Sequence, residues 1–168
     1  MTNWFLDTEF DEDGKTIELI SIGLVSDEKP ERQYYAISSE FDPNHCNNWV
    51  RANVLPRLGD YPRTGRGLIA QNVRDMVLSS KKPFAFWGYF ADYDWVVLCQ
   101  LFGSMVSLPD DFPQYCNDIK QLMHMCRILK SDLPKQTKTS EHNALSDARW
   151  NKEAWLWCKK VADARVSA

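Results

Sequence analysis

The stretch WFLDTEFDEDGKTIELISIGLV, residues 4–25, holds two apolar runs on either side of an acidic turn. Residues 4–10 and 15–25 are rich in aromatic and β-branched side chains. Asp11, Glu12, Asp13 and Gly14 between them have turn composition, so the pair reads as a β-hairpin. After a second turn over residues 27–30, residues 33–38 read as a further strand. The chain thus opens with three antiparallel strands in sequence order.

Beyond residue 46 the period changes. A helix is expected over residues 47–55, stopped by Pro56, which cannot continue one. Leu68, Ile69, Asn72, Val73, Met76 and Val77 recur at steps of three and four, so residues 67–80 read as an amphipathic helix. Residues 83–89 are short, aromatic and closed by Gly88, as in a buried strand, and residues 94–102 resume helical spacing through Val97, Leu98 and Leu101. A Pro-rich connection over 108–113, a helix over 119–129, a polar loop over 130–141 and a long helix over 145–164 complete the chain. Three strands followed by mixed elements imply an α/β sheet covered by helices, with the strand at 83–89 added parallel to the first. No repeat or linker interrupts the 168 residues, which fit one domain.

The formal charge of −3 lacks the basic excess of a protein that binds nucleic acid mainly through phosphates. It leaves room for a nucleic-acid enzyme, because carboxylates that hold cations make the apo chain look more acidic than the loaded one. Five widely spaced cysteines without a CxxC pair read as reduced thiols. The N-terminal MTNWFLDTEF has no basic or long apolar leader, and no stretch of about 20 apolar residues occurs. The expectation is a cytoplasmic protein with no membrane partner.

Three features carry chemistry. Asp7 and Glu9 lie two apart in a strand and so share a face, where they can hold one or two hard cations; an isolated pair of this kind is more often the wet face of an edge strand. The EF-hand-like run through Asp11, Asp13 and Gly14 fails at its twelfth position, Ile20, and has strands for flanks. Asp94, or its neighbour Asp92, stands where a strand feeds a helix; helix capping is the bland account of either. His142 and Asp147 would diverge by about 140° on one continuous helix. They can face one site if His142 lies in the loop and Asp147 in the first helical turn. Together these are the parts of two-metal phosphodiester hydrolysis: anionic ligands and a base for water. No Walker A loop, Ser/His/Asp order or thiolate zinc cluster competes.

In this order, D-x-E, Tyr93-Asp94 at a helix start and H-x4-D before the last helix resemble the three motifs of the DEDDh 3′ to 5′ exonucleases. FLDTEFDEDGKTIELISIGLV, YYAISSEFDP, WVRANVLPRL and WGYFADYDWVVLCQLFG are similar to small bacterial exoribonucleases related to RNase T, including the mycobacterial polyadenylate-degrading type. The resemblance implies a ribonuclease-H-like fold and a homodimer. It also selects Asp94 over Asp92, and makes Asp7, Glu9, Asp94 and Asp147 the ligands of two divalent cations, Mg²⁺ or Mn²⁺, with His142 as general base. The expected substrate is single-stranded RNA or a 3′ overhang, cut to nucleoside 5′-monophosphates, with Phe10 stacking on the terminal base. A DNA-preferring exonuclease would use the same residues, since only a 2′-hydroxyl contact separates the two. A non-catalytic nucleic-acid-binding module would be expected to lack one of the five motif residues. Many relatives carry Asn a few residues before the second-motif Asp, where this chain reads Gly88-Tyr89-Phe90-Ala91-Asp92-Tyr93. Arg51, Arg57, Arg63, Arg66, Lys81 and Lys82 are the basic residues a dimer could bring to a strand.

Overall fold

Both faces of residues 4–6 are apolar, so their strand must be covered on both sides. The computed structural model of the protein describes residues 1–138 and 140–166. Position 139, within the expected polar loop, and positions 167 and 168, within the expected domain, lie outside the described residues.

The strands β1 (Thr2–Glu12), β2 (Ile17–Ser26) and β3 (Gln33–Ser38) form the expected antiparallel meander. Next come β4 (Arg63–Thr64), β5 (Phe84–Gly88) and β6 (Asn117–Asp118). β5 runs parallel to β1, and the mixed six-stranded sheet has the order β4-β3-β2-β1-β5-β6. The two-residue strands β4 and β6 are too short for an alternation to show in sequence.

The helices are α1 (Asn48–Asn53), α2 (Arg66–Leu78), α3 (Asp92–Leu101), α4 (Ile119–Met125) and α5 (Ala144–Val166). Helix α4 ends four residues earlier than its spacing suggests. Arg127 adopts φ 51°, and the N–H groups of Arg127 and Ile128 return to the carbonyls of His124 and Met123, a Schellman motif without its usual glycine. The loop beyond it begins with a 3₁₀ turn, Lys130–Asp132.

Alternation along β1 divides the core. Trp4 and Leu6 pack with α2 and α3, through Ile69, Val73, Val77, Val97 and Leu98. Phe5 points the other way, toward Ile119 and Met123 of α4 and Ala154 and Trp155 of α5. Trp4, Phe5 and Leu6 are completely buried, and each such side chain contributes roughly 1.5–3 kcal/mol of transfer free energy. The next residues of β1 are therefore held by a rigid element. Among the described residues, no helix is long and apolar enough to cross a membrane.

Candidate active site

Continuing the alternation past Phe5 puts Asp7 and Glu9 on the α5 side of β1 and Thr8 on the α3 side. The pairing of β1 with β5 ends at Phe5 and Trp87. Thr8 is thereby free to turn to α3. Its main-chain N–H and its hydroxyl both donate to Asp94 Oδ1, at 2.8 and 2.6 Å. Asp94 is buried in the first turn of α3, whereas Asp92 is exposed and lines a separate groove with Trp95 and Val96. The structure thus separates the two candidates. The site lies at the carboxyl end of β1 and β5, where open α/β sheets place ligands.

The start of α5 supplies the third motif. Asn143 caps it, accepting from Ser146 N–H at 3.1 Å, while its amide donates to the Arg57 carbonyl at 2.9 Å. His142 stands in the loop at φ 64°, and its main-chain N–H donates to Asp147 Oδ2 at 2.9 Å. Its ring meets Trp49 edge-on, with centroids 4.9 Å apart. His142 off the helix and Asp147 in its first turn is the arrangement that lets both face one place. The helix comes this close because Asp7 is paired across the hairpin with Gly23, which has no side chain to hold α5 away.

One carboxylate oxygen from each of Asp7, Glu9 and Asp147 lies within 4.8 Å of the others. Burial, then mutual repulsion among the acids, raises Asp7 well above the usual carboxylate range. The same causes push Glu9 up to about 8. Burial raises Asp94 to about 7 against the opposing hydrogen bonds from Thr8, and it raises Asp147 against those from Gln136 and His142. Among the described residues, no lysine or arginine forms an ion pair with any of the four. Partial compensation comes from the positive end of a helix under Asp94 and under Asp147, from Arg57 acting on Glu9 and from His142 acting on Asp147. Crowded, half-buried to buried, acceptor-only oxygens with no direct ion pair are the donor set that hard divalent cations take.

A cavity of about 300 Å³ opens over these groups, lined by all five motif residues and by Phe10, Tyr89, Phe90 and Tyr93. Phe10 stacks on Tyr93 with centroids 5.4 Å apart and planes 8° from parallel, so its ring borders the cleft while also packing on the core. Sequence reasoning passed over several supporting residues. Asn151, 1% exposed, donates to the Leu6 carbonyl at 2.9 Å and hydrogen-bonds Asp7. Its place four residues after Asp147, on the same helix face, is the signal that could have found it. Thr8 is marked only by lying between the two acids. Gln136, which donates to Asp147 Oδ1, and Trp49 carry no sequence signal.

Comparisons with known proteins bear on the family and the fold. The profile of the 3′-5′ exoribonuclease Rv2179c-like domain matches residues 2–158. The 3′-5′ exoribonuclease Rv2179c of Mycobacterium tuberculosis H37Rv is 38% identical over 151 residues, covering 87% of this chain and 86% of that protein. The 3′-5′ exoribonuclease MT2234.1 of the CDC 1551 strain matches to the same extent, 38% over 151 residues. A solved structure of exonuclease I superposes with a TM-score of 0.68 at 12% identity, over 99% of this chain and 43% of the larger one. That likeness speaks to the fold, an α/β sheet of ribonuclease-H-like type.

Proposed function

The chain belongs to the Rv2179c-like 3′-5′ exoribonuclease family, and from that premise we propose that Asp7, Glu9, Asp94 and Asp147 hold two divalent cations, Mg²⁺ or Mn²⁺, beside His142 as general base. The observation that carries the proposal is the convergence of Asp7, Glu9 and Asp147 within 4.8 Å, with Asp94 fixed alongside by Thr8. Bound there, the cations would lower the pKa of water and offset charge on the phosphate.

The chain's own groups do the remaining work. The main-chain bond to Asp147 and the ring contact with Trp49 hold His142 in the lining of the same cleft, where its imidazole takes a proton from the attacking water. Gln136 and Asn151 hold Asp147 and Asp7 in orientation. The Phe10 and Tyr93 pair offers an aromatic surface for the terminal base. The substrate is single-stranded RNA or a 3′ overhang, and the products are nucleoside 5′-monophosphates.

A homodimer accompanies this reading. Several of the candidate cations are engaged within their own chain: Arg66 with Glu18 at 3.2 Å, Lys82 with Asp111, Arg51 with the Cys46 carbonyl at 2.8 Å, and Arg63 over the Phe41 ring at 4.5 Å. The Lys82 and Asp111 pair is exposed and weak, so phosphate can displace it. A cytoplasmic setting suits the five free cysteines.

The test is digestion of RNA and DNA of one sequence, labelled at the 5′ end, in Mg²⁺ and in Mn²⁺. Stepwise shortening of RNA with release of nucleoside 5′-monophosphates is expected. Internal cuts, or 3′-monophosphate products, would reject the proposal, and preference for DNA would reassign the substrate. Light scattering that finds an active monomer at micromolar concentration would remove the dimer.

A further inference from the structure

The turn between β5 and α3 contains a residue whose chemistry the turn itself does not require. Gly88 lies so close to Ala91 that a Cβ there would approach the Ala91 Cβ to 2.8 Å, and the Ala91 N–H is pinned by Asp118 Oδ2 at 2.9 Å. These contacts force the intervening backbone into the left-handed region, and Phe90 takes φ 58°. For an L-residue that conformation costs roughly 1–2 kcal/mol, and glycine or asparagine would hold it at less cost. Burial does not explain the choice of phenylalanine. Phe90 is 61% exposed, and its ring touches the edge of Tyr89, with centroids 4.7 Å apart, and stands 6.0 Å from the Lys120 ammonium. It lines the same cleft as the carboxylates.

We propose that Phe90 is a stacking platform for the base of the nucleotide that precedes the scissile phosphodiester. The inference rests on the exonuclease reading above. The Phe10 and Tyr93 pair serves the terminal base, so the exposed Phe90 face is left for the next one. The strand must also lead away from a cluster of carboxylates, and its phosphates can do so most easily along a wall that carries cations. Lys120 beside Phe90, and Lys130 at 5.9 Å from the Tyr89 ring, place two on this side. Stacking holds any base, and thus suits an enzyme that shortens strands irrespective of sequence.

The test compares two RNA substrates, identical except that one lacks the base at the penultimate position. Wild-type enzyme should favour the intact strand in kcat/KM, and Phe90→Ala should lower that preference by about 5- to 150-fold, the span of one base–aromatic stack. Phe90→Trp should restore it. Phe90→Gly, which accepts the positive φ without strain, should repeat the alanine result if alanine disturbs folding. The preference is a ratio within one preparation, so partial loss of active protein cancels. A preference that survives in both the alanine and glycine variants would overturn the platform. Failure of the exonuclease reading would look different: wild-type enzyme would release nucleotides from neither strand.

Discussion

Gly23 and Ala144 fix how closely the last helix approaches the sheet: a Cβ on Gly23 would lie 2.2 Å from the Ala144 carbonyl oxygen. Both partners in this contact are backbone, so neither can rotate away. Gly23→Ala must push the start of α5 outward, carrying Asp147 away from Asp7. Overpacking of this kind costs about 1–3 kcal/mol, and a misplacement near 1 Å can cost about 10²-fold in rate. The expected result is a lowered melting temperature together with a fall in kcat/KM larger than any loss of folded protein explains. Normal activity in a folded Gly23→Ala variant would contradict this account of the helix position.

The carboxylates give the cation-free protein a defined pH dependence. Glu9, held at about 8, and Asp94, at about 7, have ordinary values of 4.5 and 3.8. Groups raised on folding contribute stability that is complete below the ordinary value and is lost as pH rises through the folded value. In EDTA the melting temperature of the wild type should therefore decline from roughly pH 4 to pH 8 more steeply than that of Glu9→Gln, while stabilisation by Mn²⁺ should grow over the same range. Parallel curves for the two proteins would show that Glu9 is not held as described.

How much of this was legible beforehand depended on the length of each pattern. The hairpin and β5 could be read because runs of five or more residues show alternation and turn chemistry, and α2 because its apolar spacing extends over 13 residues. β4 and β6, two residues each, are formed by tertiary pairing and leave no pattern. The early end of α4 was hidden because Arg127 occupies a position where glycine would have announced it. In the site, the motif acids stood out by spacing. The choice of Asp94 over Asp92 needed the family resemblance, and the structure supplies its physical reason in the two bonds from Thr8. Gln136 arrives on a loop, and Trp49 on a helix, α1, whose placement against the site no local sequence rule dictates.

His142 is joined to the cluster through its main-chain bond to Asp147 and its ring contact with Trp49. As a general base it should be worth about 10²- to 10⁴-fold in kcat/KM. His142→Ala should lose that factor while binding Mn²⁺ with nearly unchanged affinity, measured by calorimetry on the same preparation. Loss of Mn²⁺ binding would make the histidine a ligand, and an unchanged rate would make it a bystander.

Asp7 belongs to the proposed cation site, within reach of Glu9 and Asp147, and is raised by burial and then by repulsion from Asp94, Asp147 and Glu9. Replacing it with asparagine keeps the shape and removes one negative charge. Relief of that repulsion should leave melting in EDTA unchanged or higher. The decisive measurement is release of nucleoside 5′-monophosphates from single-stranded RNA by Asp7→Asn and wild type across a Mg²⁺ titration. A loss of several orders of magnitude by a variant at least as stable as the wild type is the predicted result, and near-normal turnover at low Mg²⁺ would contradict the site.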